Sequence, residues 1–350
     1  MNKFYLISII VIIIVAIFFI ESKKTPIRGF TETDQEFMPV KEKEVIYPKY
    51  KEISNPSGFI NSNNFTLSEN IGEKVILVDF WTYSCINCQR TLPYLNEWYS
   101  KYKDQGLLII GIHTPEFKFE EEYANVQEAV NKFGVNYPVV LDNSYATWQA
   151  YKNRYWPRKY LIDIDGYIVY DHIGEGSYDE TELKIQQLLE ERKNKLKLND
   201  SISKEISQPN NPYSVDFNQV KSPEIYFGSQ RNEYLGNGIR GKKGVQNFEE
   251  PTIISSNTLY LSGSWNIQDE YAESLSESKI IFKYDSKNVY IVASAENDLT
   301  ASISLDKEFA KDLLIKEEQL YSIIEGRSYS QHILKIDVPK GLKAFAFTFG

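Results

Sequence analysis

Residues 81–90 read WTYSCINCQR and hold both cysteines of a 350-residue chain, Cys85 and Cys88. A disulfide between such close neighbours closes almost no loop. Loop closure is what makes a structural disulfide stabilising, so stability does not account for the pair. Reversible redox chemistry does: one thiolate attacks a disulfide, and a second thiol at hand resolves the mixed disulfide that forms. Zinc is the competing use of two cysteines at this spacing. A structural zinc site takes four protein ligands, whereas this chain adds only His113, His172 and His332, widely scattered, and no second cysteine pair. The pair therefore reads as a redox-active disulfide that works with neither metal nor other cofactor.

The elements that must position it follow from periodicity. KVILVDFW (74–81) is a continuous run of β-branched and aromatic residues, the pattern of a strand covered on both faces. After the cysteines, Leu92, Leu95, Trp98 and Tyr102 recur at helical spacing until Gly106. Cys85 thus falls at a strand-to-helix turn, where unpaired N–H groups and the positive helix end favour a thiolate. That makes Cys85 the nucleophile and Cys88, one helical turn further in, the shielded resolving thiol. Strands at 107–112 and 137–142, a helix over 121–134, a hairpin over 159–174 turning at Asp165-Gly166, and a closing helix over 179–196 complete an α/β pattern with buried parallel strands.

Composition divides the rest. Residues 4–20 (FYLISIIVIIIVAIFFI) form an apolar run at the lower edge of what spans a bilayer as a helix. No small-residue cleavage site follows, so the flanks favour an uncleaved anchor over a cleaved signal peptide or a buried helix. The expected organisation is a membrane anchor at 1–22, a linker at 23–55, a redox domain at 56–196, a linker at 197–222 and a β domain at 223–350. In the last, runs at 258–265, 279–285, 288–295, 301–306, 319–326, 331–338 and 343–349 read as short strands of an antiparallel sandwich. A net charge of −9 without a basic cluster excludes nucleic acid as a partner.

ILVDFWTYSCINCQRTLPYL resembles the active-site segment of thioredoxin-fold proteins, in the branch of membrane-tethered TlpA/ResA-like oxidoreductases. The resemblance implies roles for further residues. Asp79 matches the buried carboxylate that helps deprotonate the resolving cysteine, and Trp81 the tryptophan that shields the disulfide. Pro93 matches the proline that kinks the helix. Pro157 matches the proline whose preceding peptide bond is cis and whose loop, here with Trp156, receives the client backbone. The dipeptide between the cysteines is Ile86-Asn87 instead of the Gly-Pro of thioredoxin itself. Further segments, including HTPEF, RYWPRKYLIDIDG, SPEIYFGSQR and the terminal AFAFTFG, resemble the soluble carboxy-terminal part of DipZ-type proteins from about residue 56 to 350. That resemblance implies a carbohydrate-binding-like sandwich and extracytoplasmic exchange with protein thiols. It also implies a separate CcdA/DsbD-type membrane electron donor, because a single span stands where that family has a multi-span module.

Two rival functions follow from the same residues. A thiol peroxidase would use Thr82 at the right spacing before Cys85, but has Val78 where its motif needs proline. A surface glycan-binding protein would present Tyr226, Phe227, Trp265, Tyr271 and Tyr290 as a stacking face. His113 and Glu116, in the loop after the second strand, are candidates for a role beside the disulfide.

Overall fold

A computed structural model describes residues 37–199, 201–209 and 215–350. The apolar run at 4–20 lies outside the described residues. Among those described, no helix is long and apolar enough to cross a membrane.

The first half of the chain builds a six-stranded sheet from β1 (Gly58–Ile60), β2 (Val75–Trp81), β3 (Leu107–His113), β4 (Val139–Leu141), β5 (Arg158–Ile162) and β6 (Ile168–Ile173), in the spatial order β1-β4-β3-β2-β5-β6. The central β4, β3 and β2 run parallel; β1, β5 and β6 join antiparallel. Among the described residues five α-helices accompany it: α1 (Val40–Ile46), α2 (Ile86–Tyr102), α3 (Tyr123–Lys132), α4 (Ala146–Ala150) and α5 (Tyr178–Leu196). Every residue of β2 is buried. Val75, Leu77 and Trp81 pack with Leu92, Leu95 and Trp98 of α2 and Leu189 of α5, while Ile76, Val78 and Phe80 pack with Tyr151 and Tyr160 on the opposite face. Two covered faces remove the need for polar alternation, which is why the strand reads as an unbroken apolar run.

Within the stretch read as a linker over 23–55, the residues from Val40 onward belong to the compact unit and are held to it through Lys43. Lys43 is 3% exposed and donates to Asp163 (2.6 Å), to Asp165 (3.0 Å) and to Glu191. The Tyr50 N–H donates to the carbonyl of Gly166 at 3.0 Å. α1 has no apolar stripe; a buried charge cluster holds it, and hydropathy does not register such a cluster. Within the stretch 197–222, also read as a linker, some residues are packed in the same way. Ile202 is buried, and Ser207 donates through both its N–H and its hydroxyl to Glu182 of α5 at 2.7 Å.

The second half is β-rich and antiparallel: β7 (Ile225–Tyr226), β8 (Gly244–Phe248), β9 (Leu259–Ile267), β10 (Ala272–Ser274), β11 (Ser278–Ala295), β12 (Leu299–Leu305), β13 (Glu308–Ile315), β14 (Gln319–Val338) and β15 (Leu342–Phe349). These are not two separately bonded sheets. The runs at 279–285 and 288–295 are one strand, β11, and those at 319–326 and 331–338 are one strand, β14. The break between the first two runs, at Ser286-Lys287-Asn288, is a register shift within the β11–β14 ladder, where an irregular residue bends a strand without ending it. All nine strands therefore join one sheet, and a β9–β11 pairing closes the circuit β11-β15-β10-β9. Trp265, Ile280, Phe282, Ile291, Leu334 and Phe347 fill its core.

Residues from Val40 to Gly350 form one compact unit. Its two halves meet across Phe117, Val292, Phe345 and Ala346, with Phe119, Tyr226 and Tyr271 packed against them. Phe117 and Phe119 set their rings 5.3 and 4.9 Å from that of Phe345, edge to face. Lys118 N–H donates to Glu270 at 2.9 Å and Lys132 to Gln319 at 2.6 Å along the same seam.

Candidate active site

β2 ends at Trp81 and α2 begins at Ile86, with Cys85 as its N-cap residue in extended conformation. The Cys85 Sγ accepts the N–H of Cys88 at 3.4 Å, so the thiol occupies the position in which a capping side chain satisfies an unpaired helical donor. Both thiols are free. Cys85 is half-buried and Cys88 is 1% exposed. Burial pushes the Cys88 thiol well above the usual cysteine range, and its hydrogen bond to Cys85 and the charge of Cys85 add to the rise. The two sulfurs are thus chemically unequal: one is reachable, the other shielded and proton-retaining.

Asp79 sits on the same face of β2 as Val75, Leu77 and Trp81, the face that α2 covers. It is 1% exposed, and neither carboxyl oxygen has a hydrogen-bond partner among the described residues. Burial pushes it up to about 7, against a downward pull from Lys159. The same carboxylate raises Cys88, which puts the two within electrostatic reach. On one side Asp79 pairs in register with Gly111 of β3, on the other with Lys159 of β5. Gly111 must be glycine, because a Cβ there would lie 2.8 Å from Trp81 Nε1 and 3.2 Å from the Tyr137 ring. Trp81 is fully buried, edge-on to His113 at 5.2 Å and in one cluster with Cys88. Lys159 is fully buried too; its ammonium donates to the Gly174 carbonyl at 3.1 Å, and burial holds it below the ordinary lysine range.

The Trp156–Pro157 peptide bond is cis. Trp156 donates its indole N–H to the Thr114 carbonyl at 3.0 Å and packs on Trp148 at 4.3 Å between ring centroids. Asn87, between the cysteines, accepts from Arg90 at 2.7 Å; Arg90 is itself paired with Glu175 through both Nε and Nη2.

The HTPEF pair divides. His113 is fully buried beneath the cysteine turn, its ring stacked 5.8 Å from that of Tyr83 and its Nε2 3.5 Å from Thr82 Oγ1; burial lowers it to about 3 and keeps it neutral. Glu116 turns to the β domain, where it accepts from Tyr226 and from Arg231, both at 2.8 Å. The five aromatics read as a sugar-stacking face are not one. Phe227 and Trp265 lie in the β core, Tyr290 is 8% exposed, and Tyr226 and Tyr271 pack into the seam between the halves. They are consumed by packing, the commoner fate of aromatics in a β domain.

Sequence reasoning missed three groups. Lys159 stands at an inward-facing position of an apolar strand, which is the signal it offered. Arg90 carries no such mark. Glu120, fully buried, accepts from the Ser84 N–H (3.1 Å) and hydroxyl (2.7 Å) with one oxygen and from the Glu116 and Phe117 N–H groups (2.7 and 3.0 Å) with the other. It ties the residue before Cys85 to the seam loop.

Residues 53–189 match the Redoxin family, and residues 222–350 match the family described as "Thioredoxin like C-terminal domain". The chain belongs to the thioredoxin-fold redoxins. This redoxin is 37% identical over 280 residues to "Protein DipZ" of Mycobacterium tuberculosis, covering 79% of its own length and 39% of DipZ. The chain thus spans about two fifths of the length of the DipZ proteins it matches. It is 27% identical over 140 residues to "Thiol-disulfide oxidoreductase YkuV" of Bacillus subtilis, covering 40% of this chain and 93% of YkuV. To "Thiol-disulfide oxidoreductase ResA" of Bacillus thuringiensis it is 32% identical over 128 residues, covering 34% of this chain and 71% of ResA.

Proposed function

We propose that this redoxin is a thiol–disulfide oxidoreductase that reduces protein clients through Cys85 and Cys88. On this reading a separate membrane dithiol donor of the CcdA/DsbD type resupplies it, and residues 4–20 hold it at the membrane with the later residues outside. The inequality of the two sulfurs supports the reading most: the reachable Cys85 caps a helix, while the shielded Cys88 retains its proton beside Asp79.

The Cys85 thiolate attacks a client disulfide, forming an S–S bond to one client sulfur and releasing the other as a thiolate. Cys85 then carries no charge, and the upward push that its charge and hydrogen bond exert on Cys88 is gone. Cys88 passes its proton to Asp79, whose affinity near 7 suits a base at neutral pH. The Cys88 thiolate attacks Cys85 Sγ, and the client leaves with its second thiol. Two electrons have moved to the client, and Cys85–Cys88 is the disulfide. Trp156 and Pro157 form the rim against which the client backbone lies, while Trp81 packs behind Asp79 and the cysteine turn.

The test is reduction of insulin by the dithiol form, together with Cys88→Ala in cells. A mixed disulfide between Cys85 and one or more proteins is expected to accumulate, and to disappear when Cys85→Ser is added. Neither insulin turnover nor a trapped protein would sink the reading. Extraction of membranes at alkaline pH and protease treatment of intact cells test the anchor and its orientation separately.

A further inference from the structure

The active-site rim of the redox domain borders on the β domain. A cleft of about 310 Å³ runs between that rim and the β domain, with Asn87 and Trp156 on one wall and Phe217, Glu224, Thr348 and Phe349 on the other. The volume is at the small end for ligand pockets, roughly 300–1,000 Å³, so a folded surface cannot enter it. The β-domain wall mixes apolar and polar side chains, with Phe217, Val220 and Phe349 beside Ser222, Glu224 and Thr348, and Phe217 is exposed. A cleft of that size, lined by both apolar and hydrogen-bonding side chains, fits a few residues of extended chain.

Its charge selects among such chains. Two carboxylates approach each other where the β domain meets the HTPEF loop, Glu116 and Glu224, and the single Tyr226 hydroxyl sits between them, 2.8 Å from one and 3.0 Å from the other. Glu116 has a cation: Arg231 pairs with it at 2.8 Å and lays its guanidinium over the Tyr226 ring, 3.7 Å from the centroid. Glu224, exposed to the cleft, has two hydroxyl partners among the described residues, Tyr226 and Thr348 (3.4 Å), and no cation in contact. One negative charge is left over on the wall of this passage.

Taking the thiol–disulfide reading as its basis, we infer that the cleft is the client site. It receives an extended cysteine-bearing segment with a lysine or arginine close to that cysteine, and Glu224 is the residue that prefers it. The β domain is then the specificity element of the exchange, acting through its second wall. The reaction itself is unchanged: the client disulfide gains two electrons and Cys85–Cys88 loses them.

The test uses the full chain in its dithiol form and two short unstructured peptides, each with one cysteine carried as a mixed disulfide with thionitrobenzoate and flanked by either arginine or glutamate. The release of thionitrobenzoate gives the rate. The arginine peptide is expected to react about fivefold faster, the value of a partly exposed ion pair. Glu224→Gln abolishes the preference, Glu224→Lys inverts it, and Glu308→Gln, the same charge change at an exposed strand position far along the chain, leaves it intact. An inverted preference requires a folded cleft, so it separates selection from collapse. Equal rates with both peptides, or an equal effect of Glu308→Gln, would overturn the inference. If no disulfide reacts, including the small aromatic reagent alone, the redox reading falls and this one with it.

Discussion

Asp79 and Lys159 stand directly opposite each other across the β2–β5 ladder, both shut off from solvent, without touching as an ion pair. Each burial opposes the charge it encloses, and each charge eases the other's cost. Such a pair is a poor stabiliser and a good proton store.

Asp79 carries a pH-dependent stability term. In an unfolded chain an aspartate titrates near 3.9, whereas here burial raises Asp79 to about 7. Below about pH 4 the carboxyl is protonated in both states and the term is absent. Between about 4 and 7 the unfolded chain gives up its proton first, so stability declines as pH rises, and the loss levels off above 7. Thermal melting of Asp79→Asn is expected to show a gain over the parent that is larger at pH 8 than at pH 4, by a few kcal/mol. The same variant should exchange disulfides about 10²-fold more slowly at neutral pH, the usual loss for a removed general base.

Lys159→Met removes the cation that pulls Asp79 down. The midpoint of the exchange rate against pH is expected to move upward, a change that a purely structural lysine would not cause. An unmoved midpoint with a lowered melting temperature would assign Lys159 to packing alone.

Alkylation should distinguish the thiols. With Cys85 half-buried and Cys88 1% exposed, iodoacetamide is expected to modify Cys85 alone in the folded dithiol protein, and both cysteines after unfolding. Peptide mass mapping reads the outcome.

Glu120→Ala leaves four donors from Ser84, Glu116 and Phe117 without their acceptor in a sealed pocket. An unsatisfied buried donor costs about 1–3 kcal/mol. The melting temperature should fall, and hydrogen exchange at residues 82–86 and 116–120 should rise together.

The redox half was readable in advance because its signals are local. Two cysteines at a strand-to-helix turn, an unbroken apolar strand and Asp165-Gly166 between alternating hydrophobics each announce their element within a dozen residues. What escaped was held by partners distant in sequence. α1 is fixed by Lys43 reaching residues 120 to 148 positions away. Lys159 acquires meaning only once Asp79 is opposite it. β8 and β13 were missed because they lie at the ends of the β domain's strand order, and β13 has mostly exposed side chains, which removes the apolar alternation that marks a strand. The β-domain aromatics failed for the complementary reason: residue type alone does not say which face of a strand turns inward.

The Phe117–Phe345 seam bears on how this protein can be taken apart. The loop that supplies Phe117 and Phe119 is the one Glu120 fastens to Ser84, so the apolar face that mates with the β domain and the backbone that presents Cys85 are a single mechanical piece. The first half of the chain, excised at its outline, would carry a greasy scar beside Cys85. The two halves are better regarded as one instrument with a fixed jaw than as a tool with a detachable handle.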